Sequence, residues 1–235
     1  MHPSLRASTL ALALLASAAL GACDKGGAAS LPPADPSCTD AADIEDAENV
    51  DDQIIVQEGR NGYLYTYRDE NGTTMEQAGD SYTPEWGGAQ RSRAALRISG
   101  QLAQGEVYAG IGLGLTESGP YDASGYTGIS FMARRGKGEG LAQSVRVKLP
   151  DGNTDPGGGV CSECYNDFGI DFAVTEEWTR YTVNFADLRQ EGGWGDPTPA
   201  NLDPTKLFGI QFQVSASGKA YDLWIDDVTF IGCGG

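Results

Sequence analysis

Any chemistry in this 235-residue chain has to come from carboxylates, aromatic rings and cysteines. The single histidine, His2, lies in a segment expected to be removed on export. Ser-His-Asp and Cys-His catalysis are thereby excluded from the mature chain, as are histidine-ligated metals. Carboxylates are abundant, among them Glu163, Asp167, Asp171, Glu176, Glu177 and Asp196. Two acids about 5–9.5 Å apart can hydrolyse a glycosidic bond. No spacing here singles out such a pair, and a surplus of surface acids mainly serves solubility. A small glycoside hydrolase using paired carboxylates is therefore the alternative reading.

The aromatic residues carry the sharper one. Flat rings stack on the apolar C–H faces of pyranoses, while planar polar side chains bond pairs of hydroxyls, in shallow sites that need no catalytic group. Tyr63, Tyr65 and Tyr67 fall on one side of a strand, and Tyr82, Trp86, Tyr121, Tyr165 and Trp194 fall in loops. Arg134, Arg146, Lys148, Asp171, Gln211 and Gln213 alternate with apolar residues, so they face outward wherever their neighbours face the core. Gln211 and Gln213, two apart, are placed to form a hydrogen-bonding ladder. Solvation alone accounts for a polar side chain opposite a core residue, and Trp178 and Trp224 read as packing residues. Gly110-Ile111-Gly112-Leu113-Gly114 mimics a nucleotide fingerprint but lies inside a strand, where the Rossmann reading fails. Its period of two instead puts three glycines on one face with Tyr108. That bare backbone is open to a ligand or to another segment of the chain.

Acids also gather at the ends of the domain, in Ile44-Glu45-Asp46 and Trp224-Ile225-Asp226-Asp227-Val228. If the first and last strands are neighbours, Glu45, Asp226 and Asp227 meet, and hard oxygen ligands suit Ca²⁺. Edge-strand charge and bulge chemistry explain the same acids without a metal. Of five cysteines, Cys38 precedes the first strand, Cys233 follows the last, and Cys161 and Cys164 share a glycine-rich loop. The natural pairing is 38–233 with 161–164, one of three connectivities. A 38–233 bridge closes nearly the whole domain, for at most about 5 kcal/mol in the chain-entropy model. The rival for Cys161/Cys164 is a redox pair or half a zinc site. It lacks a second Cys-x-x-Cys and the helix start that a thioredoxin motif needs.

These residues must be positioned by strands. The chain is 40% hydrophobic with 33 glycines, about twice the usual share of roughly 7%. Alternating apolar sets mark Ala94–Ser99, Val107–Leu115, Gly128–Arg134, Ser144–Leu149, Phe168–Val174, Tyr181–Phe185, Ile210–Val214 and Tyr221–Ile231. Earlier strands are expected near Ile44, Ile54–Val56 and Tyr63–Tyr67, and single helical turns at Phe185–Arg189 and Pro204–Leu207. A phase shift at Asp226-Asp227 predicts a bulge. About ten strands predict an all-β antiparallel sandwich. The net charge of −17 disfavours a nucleic-acid partner.

Residues 1–22 combine Arg6, a short apolar run and small residues, as a signal peptide does. Leu20-Gly21-Ala22-Cys23 resembles the bacterial lipobox. This implies a lipid on Cys23 and tethering in the bacterial cell envelope, at the inner or the outer membrane. An ordinary signal peptide with a chance cysteine is the alternative. Residues 23–42 read as a flexible linker and 43–235 as the folded domain.

Six strand segments, from Gly62-Tyr63-Leu64-Tyr65-Thr66-Tyr67 to Tyr221-Asp222-Leu223-Trp224-Ile225-Asp226-Asp227-Val228, together resemble the galactose-binding-like jelly rolls of carbohydrate-binding modules. They are most similar to family 11 modules of bacterial β-glucanases and cellulases. The resemblance covers roughly residues 43–231. It implies non-catalytic binding of a β-glucan-like polysaccharide in support of partner enzymes that break polysaccharide down. It also implies structural calcium on Glu45 and Asp226, with Asp227 a weaker match. The expected ligand contacts are Tyr63, Tyr65, Tyr67, Trp86, Tyr121, Arg146, Lys148, Tyr165, Asp171, Trp194, Gln211 and Gln213. A cell-surface domain that binds another protein is a further alternative.

Overall fold

Alternating apolar residues build two facing sheets. The computed structural model describes residues 38–77 and 82–233. Its strands are β1 (Asp43–Glu45), β2 (Leu64–Arg68), β3 (Thr74–Met75), β4 (Glu85–Trp86), β5 (Ala94–Gln101) and β6 (Ala109–Gly114). They continue with β7 (Gly128–Arg135), β8 (Ser144–Leu149), β9 (Phe168–Ala173), β10 (Thr179–Asn184), β11 (Gly209–Val214) and β12 (Ala220–Ile231). Among the described residues there is no α-helix, only short 3₁₀ turns, two of them at Phe185–Asp187 and Pro204–Lys206. Residues 1–37, with the expected signal segment, Cys23 and most of the linker, lie outside the described residues.

One sheet has five strands in the order β2-β6-β11-β8-β9. The other has seven. Its path is β10-β7-β12-β5-β3, with β1 beside β12 and β4 beside β5. Every pairing between these strands is antiparallel. Inward residues of the two sheets meet around Phe131. Its ring stands edge-on to Phe212 at 4.9 Å and to Phe172 at 6.0 Å, and it stacks on Tyr181 at 5.5 Å. Each such aromatic pair adds about 0.5–1.5 kcal/mol beyond its buried area.

The first and last described segments are neighbours. β1 pairs with β12, and Cys38 is bonded to Cys233. The register of β12 shifts between Asp226 and Thr229, and Asp227 has φ 47°, so the expected bulge is present. Two expectations are corrected. Ile54–Val56 is not a strand; only the bridges Gln53–Tyr63 and Gln57–Arg60 flank it. Tyr121 is a packing residue: its ring stacks near Phe230 at 5.9 Å, and its hydroxyl accepts from the buried Arg60 at 3.0 Å. Arg60 also donates to the carbonyls of Ala41 and Asp43, which holds the entering chain against this corner.

Candidate functional site

The outward face of the five-stranded sheet collects most of the candidate residues, and the strand register explains why. Tyr67, Gly110, Gln213, Arg146 and Asp171 stand opposite one another across β2, β6, β11, β8 and β9. Two residues along lies a second row: Tyr65, Gly112, Gln211, Lys148 and Gly169. Alternation turns both rows to the same side.

Tyr63, Tyr65, Tyr67 and Tyr108 form a continuous strip, with successive ring centroids 6.0, 6.2 and 6.1 Å apart. Tyr63 is 51% exposed and Tyr108 41%, while Tyr65 and Tyr67 are half-buried. The glycines of β6 make room for this strip. A Cβ added at Gly112 would fall within the Tyr65 ring, and one at Gly110 within the Tyr67 ring. Of the two occupants expected for this backbone face, a ligand or another segment of the chain, the second is found at Gly110 and Gly112, where the chain's own tyrosines lie on it.

The tyrosine hydroxyls end on the glutamine ladder. Gln211 Nε2 donates to Tyr65 Oη at 3.0 Å, and Tyr67 Oη donates to Gln213 Oε1 at 3.5 Å. Burial, with Asp167 and Asp155 nearby, outweighs the Gln211 bond and pushes the Tyr65 hydroxyl up to about 12. Burial holds Tyr67 well above its ordinary value. Both phenols are neutral donors and acceptors across the physiological range.

At the far edge the charged groups are matched. Arg146 pairs with Asp171 at 3.0 Å and Glu191 at 3.6 Å, and it donates to the Arg189 carbonyl at 2.9 Å. Lys148 Nζ pairs with Asp167 at 3.0 Å and donates to the Tyr165 carbonyl at 3.3 Å. The Cys161–Cys164 disulfide immediately precedes Tyr165, which is 62% exposed. Asn166 holds the neighbouring loop by donating to the carbonyls of Glu191 and Trp194. Tyr165 and Trp194 thus stand on two tied loops beside the Lys148 and Arg146 edge of the face.

The structure does not bring every candidate here. Trp86 is exposed, but β4 places it at the edge of the seven-stranded sheet. Trp224 is buried on that sheet, with Arg97 and Arg134 over its ring at 4.8 and 4.2 Å, and Arg134 also stacks on Trp178. Asp167 and Asp155 also lie near this face, though nothing in their spacing distinguishes them from other acids.

Glu45 of β1 and Asp226 of β12 form a separate feature. Both are buried, at 3% and 1% exposure, and neither is ion-paired among the described residues. Glu45 accepts from the Ala47 amide and Asp226 from the Ala89 amide, each at 2.7 Å. Burial raises Glu45 to about 8 and Asp226 to about 7. Asp227 points elsewhere, to Arg180 at 3.5 Å. Among the described residues no group of three or more acidic, cysteine or histidine side chains is arranged to hold a metal. Asp226 also accepts from the Asp227 amide at 2.8 Å, so both acids are hydrogen-bonded without a cation, and as hard oxygen donors they are of the type that suits Ca²⁺.

The family model of carbohydrate binding domain 30 matches residues 52–232. Among solved structures, a family 11 carbohydrate-binding module from Clostridium thermocellum, in complex with a β-1,3-1,4-mixed-linked tetrasaccharide, superposes with a TM-score of 0.53. It is 16% identical, over 78% of this chain and 96% of that one. The family 30 module of the cellulosomal cellulase Cel9D-Cel44B of the same organism gives a TM-score of 0.50 at 16% identity, over 78% and 98%. At these identities the likeness to both shows the sandwich fold. No curated protein matches the sequence.

Proposed function

The chain belongs to the carbohydrate binding domain 30 family, and from that premise we propose that its five-stranded face binds a neutral, β-glucan-like polysaccharide without cleaving it. The observation that carries this reading is the strip of Tyr63, Tyr65, Tyr67 and Tyr108 laid beside the Gln211–Gln213 ladder. Ring faces meet sugar C–H groups, and planar amides and guanidinium meet hydroxyls. Tyr165 and Trp194 flank the chain of sugars, with Lys148, Arg146 and Asp171 at the far edge. A β-1,3-1,4-mixed-linked glucan is the first probe, because a relative of the same fold was solved with such a tetrasaccharide.

Calorimetric titration and affinity electrophoresis over mixed-linkage glucan, xyloglucan, mannan and cellulose test the reading. Tyr65→Ala and Tyr67→Ala are each expected to weaken binding by roughly tenfold, about 1.4 kcal/mol. Absence of binding to all four polysaccharides sinks the proposal. Release of reducing sugar that disappears when one acid is replaced would establish the hydrolase instead.

The proposal extends to a structural Ca²⁺ on Glu45 and Asp226, tested by calcium titration of chelated protein. It also includes lipid attachment at Cys23, which would tether the domain in the cell envelope where partner enzymes break down polysaccharide. Metabolic labelling with a fatty acid, lost in Cys23→Ala, tests the anchor.

A further inference from the structure

Trp194 stands on a loop with little of its own to fix it. In Glu191-Gly192-Gly193-Trp194-Gly195, Gly193 and Gly195 have φ of 95° and 90°, a region that L side chains rarely adopt. A ring on so free a loop has to be ordered when a ligand binds, unless something orders it first. The ring is partly exposed, and no other ring or guanidinium stacks on it among the described residues. In this it differs from Trp178 and Trp224, both of which carry the Arg134 guanidinium.

Two sets of contacts order the loop. Asn166, 2% exposed, ties its backbone. The Asn166 side-chain amide donates to the carbonyls of Glu191 and Trp194, and its oxygen accepts from the Glu191 amide at 2.9 Å. These bonds fix the path of the chain but leave the indole its own side-chain torsions. Glu191 restrains those. Its Oε2 accepts from Trp194 Nε1 at 3.2 Å, while its Oε1 lies 3.6 Å from Arg146 Nε. Arg146 is a firm anchor. Its side chain is 11% exposed, and its other two nitrogens donate to Asp171 at 3.0 Å and to the Arg189 carbonyl at 2.9 Å. One carboxylate thus joins the indole to a guanidinium rooted in β8.

We propose that Glu191 is a positioning residue of the glycan site: it holds the Trp194 ring against the Arg146 edge of the five-stranded face and touches no sugar itself. The inference rests on the polysaccharide-binding reading and adds to it a residue that acts on the glycan only through another. A hydrogen bond to a carboxylate is stronger than one between neutral groups, so an acid suits this task better than an amide or a hydroxyl. A ring set in place beforehand spares the glycan the cost of ordering it.

Calorimetric titration with a mixed-linkage glucan tetrasaccharide, run as a double-mutant cycle on Glu191→Ala and Trp194→Ala, tests this. Trp194→Ala is expected to weaken binding roughly tenfold and Glu191→Ala roughly fivefold. The double variant is expected to bind no more weakly than Trp194→Ala alone, because without the ring the carboxylate has nothing to hold. Both residues lie in a surface loop, so the melting temperatures are expected to stay within about 2 °C of wild type. In Glu191→Ala the Trp194 indole N–H resonance, assigned by its loss in Trp194→Phe, is expected to shift before any glycan is added. Either single variant binding within about twofold of wild type would overturn the inference, as would an unmoved indole resonance. Losses that multiply in the double variant would overturn it too, since Glu191 would then meet the sugar directly. Failure of wild type to bind any neutral polysaccharide overturns the underlying reading and the inference with it. Wild-type binding with an unaffected Glu191→Ala removes the inference alone.

Discussion

Three glycines spaced by two do different work because of what lies over each. At Gly112 the Tyr65 ring rests on the backbone, so any side chain displaces it. Gly112→Ala is therefore expected to destabilise the fold by about 1–3 kcal/mol, the usual cost of overpacking. It should also weaken glycan binding, because the Tyr65–Gln211 bond holds the ring in the strip. Paired measurements of melting temperature and affinity check this. A Gly112→Ala variant that keeps both would show that the ring is not seated by that glycine. Gly110, Gly112 and Gly114 were legible in the sequence as one face. Which of them were covered was not, because alternation assigns a side and says nothing of where a neighbouring strand's ring lies down.

At the scale of elements, the register of four neighbouring strand pairs turns residues far apart in sequence into rows. The alternation that locates β5 to β12 also locates Gln211, Gln213, Arg146, Lys148 and Asp171 on the outward face, so that part of the site was readable. Two-residue β3 and β4 carry too little pattern to detect, so the sequence does not separate Trp86, at the edge of the other sheet, from the loop aromatics. The packing of Tyr121 is hidden in the sequence for a related reason: only the fold brings Arg60 and Phe230 to it. The loops bearing Tyr165 and Trp194 have no regular pattern and depend on local ties. Tyr165 holds φ 74°, unfavourable for an L side chain, directly after the Cys161–Cys164 disulfide. Glu163 of that disulfide loop accepts from the Gly195 amide at 3.0 Å, beside Trp194. So short a disulfide loop constrains the unfolded chain by only about 2 kcal/mol. Its larger expected effect is on the aromatic wall. Replacing both cysteines with serine should lower affinity for glycan by roughly fivefold, about 1 kcal/mol, with a small fall in melting temperature. Unchanged affinity would mean that the hydrogen bonds between the loops suffice.

At the scale of the whole sandwich, the closure of its ends controls how stability responds to pH. The Cys38–Cys233 bond and the β1–β12 pairing bring Glu45 and Asp226 into the interior without a cationic partner. Glu45 moves from 4.5 to about 8 and Asp226 from 3.8 to about 7, chiefly because burial penalises the charged form. Between those limits the native chain keeps protons that the unfolded chain has released. The contribution of these groups is thus fully present below pH 4 and is lost as pH rises through 7 and 8, at up to about 1.4 kcal/mol per unit for each group. Protein kept in chelator should therefore melt at a lower temperature at pH 8 than at pH 5. A calcium ion held by these acids, as proposed, would bind the deprotonated pair, so added calcium should raise the melting temperature most at pH 8 and flatten the dependence. Reduction of Cys38–Cys233 removes a closure worth up to about 5 kcal/mol. Combined with chelation it should lower the melting temperature more than either treatment alone, since both act on the same seam. Scans at pH 5 and pH 8, with chelator, calcium and reductant varied independently, separate the contributions. Equal melting temperatures at the two pH values in chelator would show that the buried acids are compensated. A calcium effect no larger at pH 8 than at pH 5 would place the ion elsewhere than on Glu45 and Asp226.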